Sequence, residues 1–232
     1  MGNDGWYTEG PTKEDLEQAK RESAGGSARR FFLRAEETKH IIMLDDVPFS
    51  IWEHNPTING EFWHYFTCIK GINPEDPVCP MCMSRIKRMY TGYITILDAT
   101  GWKDKKGNLV RYNRQLFPMT LKTLKRFNVA KDKKTSLVGA QFEITRTSSD
   151  AVKVGDMWDF EDYVDPFKDE EYWFTSKLQK KKMPPEPFNY KEIFAPMSSA
   201  ELKSIASGAG GGRYDGGGGG ESSGGGDNDE LY

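Results

Sequence analysis

The chain is short of cysteine, of long apolar runs and of net charge, and each shortage removes a class of function. Across 232 residues there is no apolar stretch near 18 residues, and mean hydropathy is −0.70, so no membrane-spanning helix and no membrane partner are expected. The opening Met1-Gly2-Asn3-Asp4 lacks a basic segment leading into an apolar one, so secretion is not expected. Three cysteines allow at most one disulfide and a spare thiol, a use that belongs to secreted chains. A redox Cys-x-x-Cys pair belongs in a βαβ context, which the pattern here does not offer. A formal net charge of −3 argues on average against a nucleic-acid partner, although that average hides strong segregation.

All three cysteines lie in one stretch, from Glu53 to Cys82. Cys79-Pro80-Met81-Cys82 aims two thiolates at one point, the usual half of a tetrahedral zinc site. Cys68 supplies a third, and with no cysteine left the fourth donor is expected from histidine. His64 and His54 compete for that place. His64 sits four residues before Cys68 on a segment that reads as strand, a separation of about 13 Å. His54 lies on the preceding strand, across an Asn59-Gly60 turn of hairpin type, and is favoured. No open coordination position or adjacent acid–base pair is evident, so the expected Zn2+, one per chain, is structural.

Short apolar runs punctuated by turns dominate the rest. Strands are expected at Phe31–Arg34, His40–Leu44, Phe49–His54, Phe62–Cys68, Tyr93–Leu97, Leu109–Phe117, Gln141–Thr147 and Met157–Tyr163. Short helices are expected at Met83–Tyr90 and Thr120–Phe127. The fold class expected is mainly β: an OB-fold-like five-stranded barrel with a zinc-binding insertion, short helices and a disordered C-terminal tail. The division is 1–28, an N-terminal helical arm opened by Thr12 and Asp15; 29–176, the core, with the zinc insertion at about 54–90; 177–207, an extended connection; and 208–232, a glycine-rich flexible acidic tail.

Charge is distributed in blocks. From Gly101 to Lys153 there are 13 Lys/Arg against 4 Asp/Glu, whereas Asp156–Glu171 holds 8 acids and Lys168 alone. A basic stretch interleaved with aromatics suits single-stranded nucleic acid, because cations follow phosphates while flat rings stack on unpaired bases. Lys103, Lys105, Lys106, Arg111, Arg114, Lys122 and Arg126 are the phosphate candidates. Tyr65, Trp102, Tyr112 and Phe142 are the stacking candidates. From Gly208 onward the composition is that of a flexible glycine tether, and it ends in Asp227, Asp229, Glu230, Leu231 and Tyr232. Such a tip is suited to bind partner proteins or to occupy the chain's own basic groove.

These features together resemble the single-stranded DNA-binding proteins of tailed bacteriophages. The spacing His54-x13-Cys68-x10-Cys79-x2-Cys82 is similar to the His-x12-Cys-x9-Cys-x2-Cys of the zinc-containing helix-destabilising proteins of T-even phages, which favours His54 over His64. The segment ARRFFLRAEE…IIMLDDVPFSIWEHN…YFTC…CPMC also looks like phage replication proteins of this kind. The resemblance covers about residues 29–100. It implies a non-enzymatic protein that coats single-stranded DNA in phage replication, recombination and repair, in the cytoplasm of an infected bacterial host. It further implies that the acidic tail recruits a DNA polymerase, helicase or primase. Self-association is among the expected partnerships, with residues 1–28 as an arm that could contact a neighbouring subunit, but no clearly basic N-terminal arm is present to drive cooperative filaments. Two other classes remain open: a zinc-stapled RNA-binding or transcription accessory protein, and a metal-dependent nuclease using Asp156, Asp159 and Asp162.

Overall fold

The structure, a computed structural model, describes residues 28–58, 64–72, 78–103, 107, 109–175 and 182–208. The expected N-terminal helix, the Asn59-Gly60 turn and the glycine-rich tail lie outside these residues. Among the described residues the fold is mainly β, built on one antiparallel sheet of seven strands with a few short helices.

The organising element is β4 (Arg88–Asp98), eleven residues long and buried from Thr91 onward. Its length lets one edge serve two partners in turn. β2 (Phe49–His54) pairs with Arg88–Tyr93, and β1 (Thr38–Met43) pairs with Ile96–Asp98. The break between them is sealed locally, because the Leu44 amide donates to the Thr95 carbonyl and the Thr95 amide donates to the Asp45 carboxylate. The opposite edge of β4 takes β7 (Asn113–Met119). β3 (Phe66–Thr67) extends the sheet beyond β2, while β8 (Ala140–Thr145) and β9 (Met157–Tyr163) extend it beyond β1. Two ribbons stand apart: β5 (Trp102–Lys103) with β6 (Leu109–Val110), and β10 (Phe174–Thr175) with β11 (Lys182–Met183).

Among the described residues four α-helices accompany these strands, α1 (Pro80–Met83), α2 (Leu121–Asp132), α3 (Tyr190–Ile193) and α4 (Ser199–Gly208), with one 3-10 turn at Glu170–Tyr172. α2 lies on the sheet, turning Thr123, Leu124, Phe127 and Ala130 inward at helical spacing. It meets Ile94, Ile96, Phe117, Phe142 and Ile144 in the main core. The helix comes so close over β4 that a Cβ on Gly92 would stand 2.7 Å from Leu124. A second core gathers Cys68, Ile69, Cys79, Met81, Leu202 and Ala206 beneath α4.

Several sequence expectations are corrected here. The sheet has seven strands and does not close into a five-stranded barrel. The helix expected at Met83–Tyr90 is replaced by α1 followed by the start of β4, whose pairing with β2 at Arg88–Tyr93 outweighs local helix preference. The single strand expected at Leu109–Phe117 is split between β6 and β7 at Tyr112, which adopts φ +55°. Phe31–Arg34 forms no strand; there the chain makes a parallel bridge between Arg30 and Leu116. Within the expected extended connection, 177–207, the chain forms β11, α3 and α4.

Candidate metal centre

Two strand ends and one short helix assemble the site. In β2, Glu53 and His54 face Thr67 and Phe66 of β3, and the Cys68 amide donates to the Trp52 carbonyl. That antiparallel register sets Cys68 beside His54. Cys79 precedes α1 and Cys82 lies inside it. Pro80 occupies the first helical turn, where its fixed φ costs nothing and its missing N–H is not required. The turn closes as the Met83 amide donates to Cys79 and the Arg85 amide to Cys82, with Arg85 at φ +59°.

The result is a four-donor group. His54 Nε2 lies 3.5 Å from Cys79 Sγ and 3.6 Å from Cys82 Sγ, and Cys68 Sγ lies 3.7 Å from Cys82 Sγ. All four donor atoms fall within 4.8 Å of one another. His54 and Cys79 are fully buried and Cys68 nearly so. This buried group can hold a metal ion. His64 is not part of it.

The surroundings prepare each donor. His54 Nδ1 lies 3.0 Å from the Ile86 carbonyl and 3.3 Å from that of Lys87. Donating its proton there leaves Nε2 as a lone pair aimed at the thiolates, the usual way a ligating imidazole is oriented. Burial lowers the His54 pKa, against the raising influence of those two carbonyls, so the ring is neutral as a ligand requires. Burial opposes the Cys79 thiolate, but amides of Cys82, Ile69 and Met81 together outweigh it and the pKa falls. Cys82 is pushed up to about 12, by burial first and then by Cys68 and Cys79 beside it. Crowded thiols with opposed preferences are what a cation at their centre would reconcile.

No family model, curated protein or solved structure matches this chain.

The nucleic-acid candidates are scattered by comparison. Lys103, Arg111 and Lys122 are exposed. Lys105, Lys106 and the tail residues Asp227, Asp229, Glu230, Leu231 and Tyr232 lie outside the described residues, as does the side chain of Trp102. Arg114 is committed elsewhere: it donates to the Glu186 carbonyl at 2.7 Å and lies 4.1 Å from the Phe188 ring centroid. Tyr112 donates to Glu171 at 2.8 Å and meets Tyr172 edge-on. Tyr65 has the Arg30 guanidinium 3.3 Å from its ring centroid. Phe142, 4% exposed, belongs to the main core, so its ring offers no face for stacking. Arg126 lies at the edge of a cleft with Trp158 and Phe160. Asp156 is held by the Thr147 amide and hydroxyl at 2.8 and 2.6 Å. It forms no three-residue ligand group with Asp159 and Asp162. A cluster of His40, Glu143 and Glu161, on the sheet face turned away from α2, is closed on itself, with His40 Nδ1 2.9 Å from Glu161 and Gln141 donating to the same carboxylate.

Charge counting along the chain missed a second group beside the metal centre. Glu53, 1% exposed, is gripped by Arg30 at 2.7 Å and accepts from the Tyr93 hydroxyl at 2.7 Å. It locks the strand that carries His54. An alternating strand with a glutamate on its apolar face, Phe49-Ser50-Ile51-Trp52-Glu53, was the available signal.

Proposed function

We propose that the protein binds single-stranded DNA without sequence preference and carries one structural zinc ion on His54, Cys68, Cys79 and Cys82. The observation that carries this reading is the convergence of those four side chains, since they are the set whose spacing resembles the phage helix-destabilising proteins. Zinc fits the donors. Bonds of about 2.3 Å to sulfur and 2.0–2.1 Å to nitrogen, arranged tetrahedrally, place sulfurs about 3.8 Å apart and nitrogen about 3.6 Å from sulfur. The separations here, 3.5 to 3.7 Å, match. Three thiolates and an imidazole favour zinc over oxygen-seeking ions. With every protein ligand in place the ion supplies folding energy and no open position for chemistry.

Phosphates release counterions as lysines and arginines replace them, so affinity falls steeply with salt. Bases stack on aromatic rings, which tolerate any sequence. The acidic residues from Asp227 to Tyr232 compete for the same cationic surface and recruit replication enzymes such as polymerase, helicase or primase. The setting is the cytoplasm of a phage-infected bacterium, during replication, recombination and repair.

Fluorescence anisotropy of labelled oligo-dT, duplex DNA and RNA of equal length tests this, at two salt concentrations, with the full chain and a version ending at Gly208. Salt-sensitive, single-strand-selective binding that tightens without the tail is expected. A preference for RNA would instead favour the RNA-binding alternative, and no binding by either version would discard both.

A further inference from the structure

The strongest acidic strand of the protein has a second character on its other side. β9, Met157-Trp158-Asp159-Phe160-Glu161-Asp162-Tyr163, alternates with period two. Asp159 stands opposite Glu143 and Glu161 bonds His40, on the face turned away from α2. Trp158 and Phe160 stand opposite Ile144 and Phe142, on the face that α2 covers. Because β9 ends the sheet, α2 covers that face only in part. Phe160 is left 38% exposed and Tyr163, after the register shift between Gln141 and Phe142, 43% exposed.

Between this aromatic edge and α2 runs a cleft of about 370 Å3, floored by Trp158 and Phe160 and walled by Arg126, Val129, Lys133 and Lys134. It adjoins a second hollow of about 450 Å3, which shares Lys133 and Lys134 and continues to Ser136 and Tyr163. No carboxylate lines either one. The Lys134 ammonium sits 3.4 Å from the centroid of Phe160 and 5.6 Å from that of Tyr163, resting on ring faces. Among the described residues neither Lys133 nor Lys134 has an ion-pair partner. The rings themselves are firmly set: Phe160 and Tyr163 lie 5.2 Å apart, and Phe160 meets Phe142 edge-on at 5.7 Å.

We propose that this cleft between α2 and β9 is where a single strand of DNA binds, with bases on Phe160 and Tyr163 and phosphates on Arg126, Lys133 and Lys134. The proposal rests on the single-strand reading above and moves the contact surface away from the 101–114 stretch that charge counting singled out. An aromatic floor with a rim whose charged residues are all cationic fits a ligand that is flat and apolar at one end and anionic at the other. Duplex DNA presents phosphates but keeps its base faces stacked, so it leaves Phe160 and Tyr163 unused. Arg126 to Lys133 spans about 10 Å of helix, enough to meet more than one phosphate of the same strand. A base arriving on Phe160 takes the face that Lys134 covers, and the released ammonium is then available to the phosphate.

The test is anisotropy titration of labelled oligo-dT with the full chain and four variants: Phe160→Ala, Tyr163→Ala, Lys134→Glu and, as a control on the exposed side of α4, Lys203→Ala. Each aromatic removal is expected to weaken binding about 5- to 150-fold. Lys134→Glu is expected to weaken it and to reduce the slope of log affinity against log salt by about 0.7 or more. Lys203→Ala is expected to bind like wild type. Lys134 is a surface cation, so its variant keeps the outcome readable if Phe160→Ala unfolds, which circular dichroism would show. Tight binding by wild type that all three cleft variants retain overturns the proposal and leaves the single-strand reading standing. Absence of binding by wild type overturns both. Binding of equal-length RNA that exceeds DNA and depends on Lys134 would assign the cleft to RNA and overturn its assignment to DNA.

Discussion

The Arg30–Glu53–Tyr93 cluster allows a prediction whose size follows from burial. Glu53 is 1% exposed and Arg30 20%. The guanidinium packs 3.3 Å from the Tyr65 ring centroid and 4.9 Å from that of Tyr93. Replacing Arg30 by Met keeps the stem but strands a carboxylate that has no water to return to. Breaking such a pair costs about 3–5 kcal/mol. Replacing Glu53 by Gln is milder, because Arg30 reaches solvent and Tyr93 keeps an acceptor; losing a bond to a charged partner costs about 1.5–3 kcal/mol. The double variant removes both charges together and is expected to cost no more than about 3 kcal/mol, well short of the sum of the singles. Urea unfolding curves with unchanged slopes would measure all three. Additivity within about 0.5 kcal/mol would mean that the charges act independently, and the account of a desolvated pair would be wrong.

Two further outcomes follow from other parts of the structure. His54→Ala should lose bound zinc, measured by metal analysis of the purified chain, and should expose α4 to limited proteolysis because Leu202 and Ala206 pack on the same cluster; full metal retention would sink the assignment of His54. Burial holds the Asp45 carboxyl protonated to higher pH than usual, despite bonds from Tyr190 and Thr95 that act the other way. The folded chain therefore binds more protons than the unfolded one above the ordinary aspartate range, and Asp45 costs stability from there upward. Asp45→Asn should match wild type in Tm below the ordinary aspartate range and exceed it by a margin that grows as pH rises through that range and levels off once the folded carboxyl has ionised; a pH-independent difference would refute that.

The four metal donors and the β character were legible because they depend on residue type and local spacing. β2 and β9 were also legible, since alternation at a sheet surface fixes a strand on its own. The extent of β4 was not. Its first residues, Arg88-Met89-Tyr90, carry no strand signal beyond one aromatic, and what makes them a strand is β2 beside them. Nor could Tyr112 announce the break before β7, because a positive φ at a non-glycine residue is imposed by surroundings. α4 is a different case, since a signal existed in Ser198-Ser199-Ala200-Glu201. The Glu201 carboxylate accepts from the Ser198 amide at 2.8 Å, and the Ser198 hydroxyl accepts from the Glu201 amide at 3.3 Å, the reciprocal capping that such a spacing encodes. The surrounding lysines and prolines drew the expectation towards an extended chain instead. Summing charge over Asp156–Glu171 likewise concealed that the acids and the rings of β9 point in opposite directions.

The helix that walls the metal centre is the last described element, synthesised after every strand of the sheet. During translation, β2, β3 and α1 therefore leave the ribosome with their four donors while the lid formed by Leu202 and Ala206 does not yet exist. Until α4 follows, the four donors lack the cover that Leu202 and Ala206 give them in the completed fold.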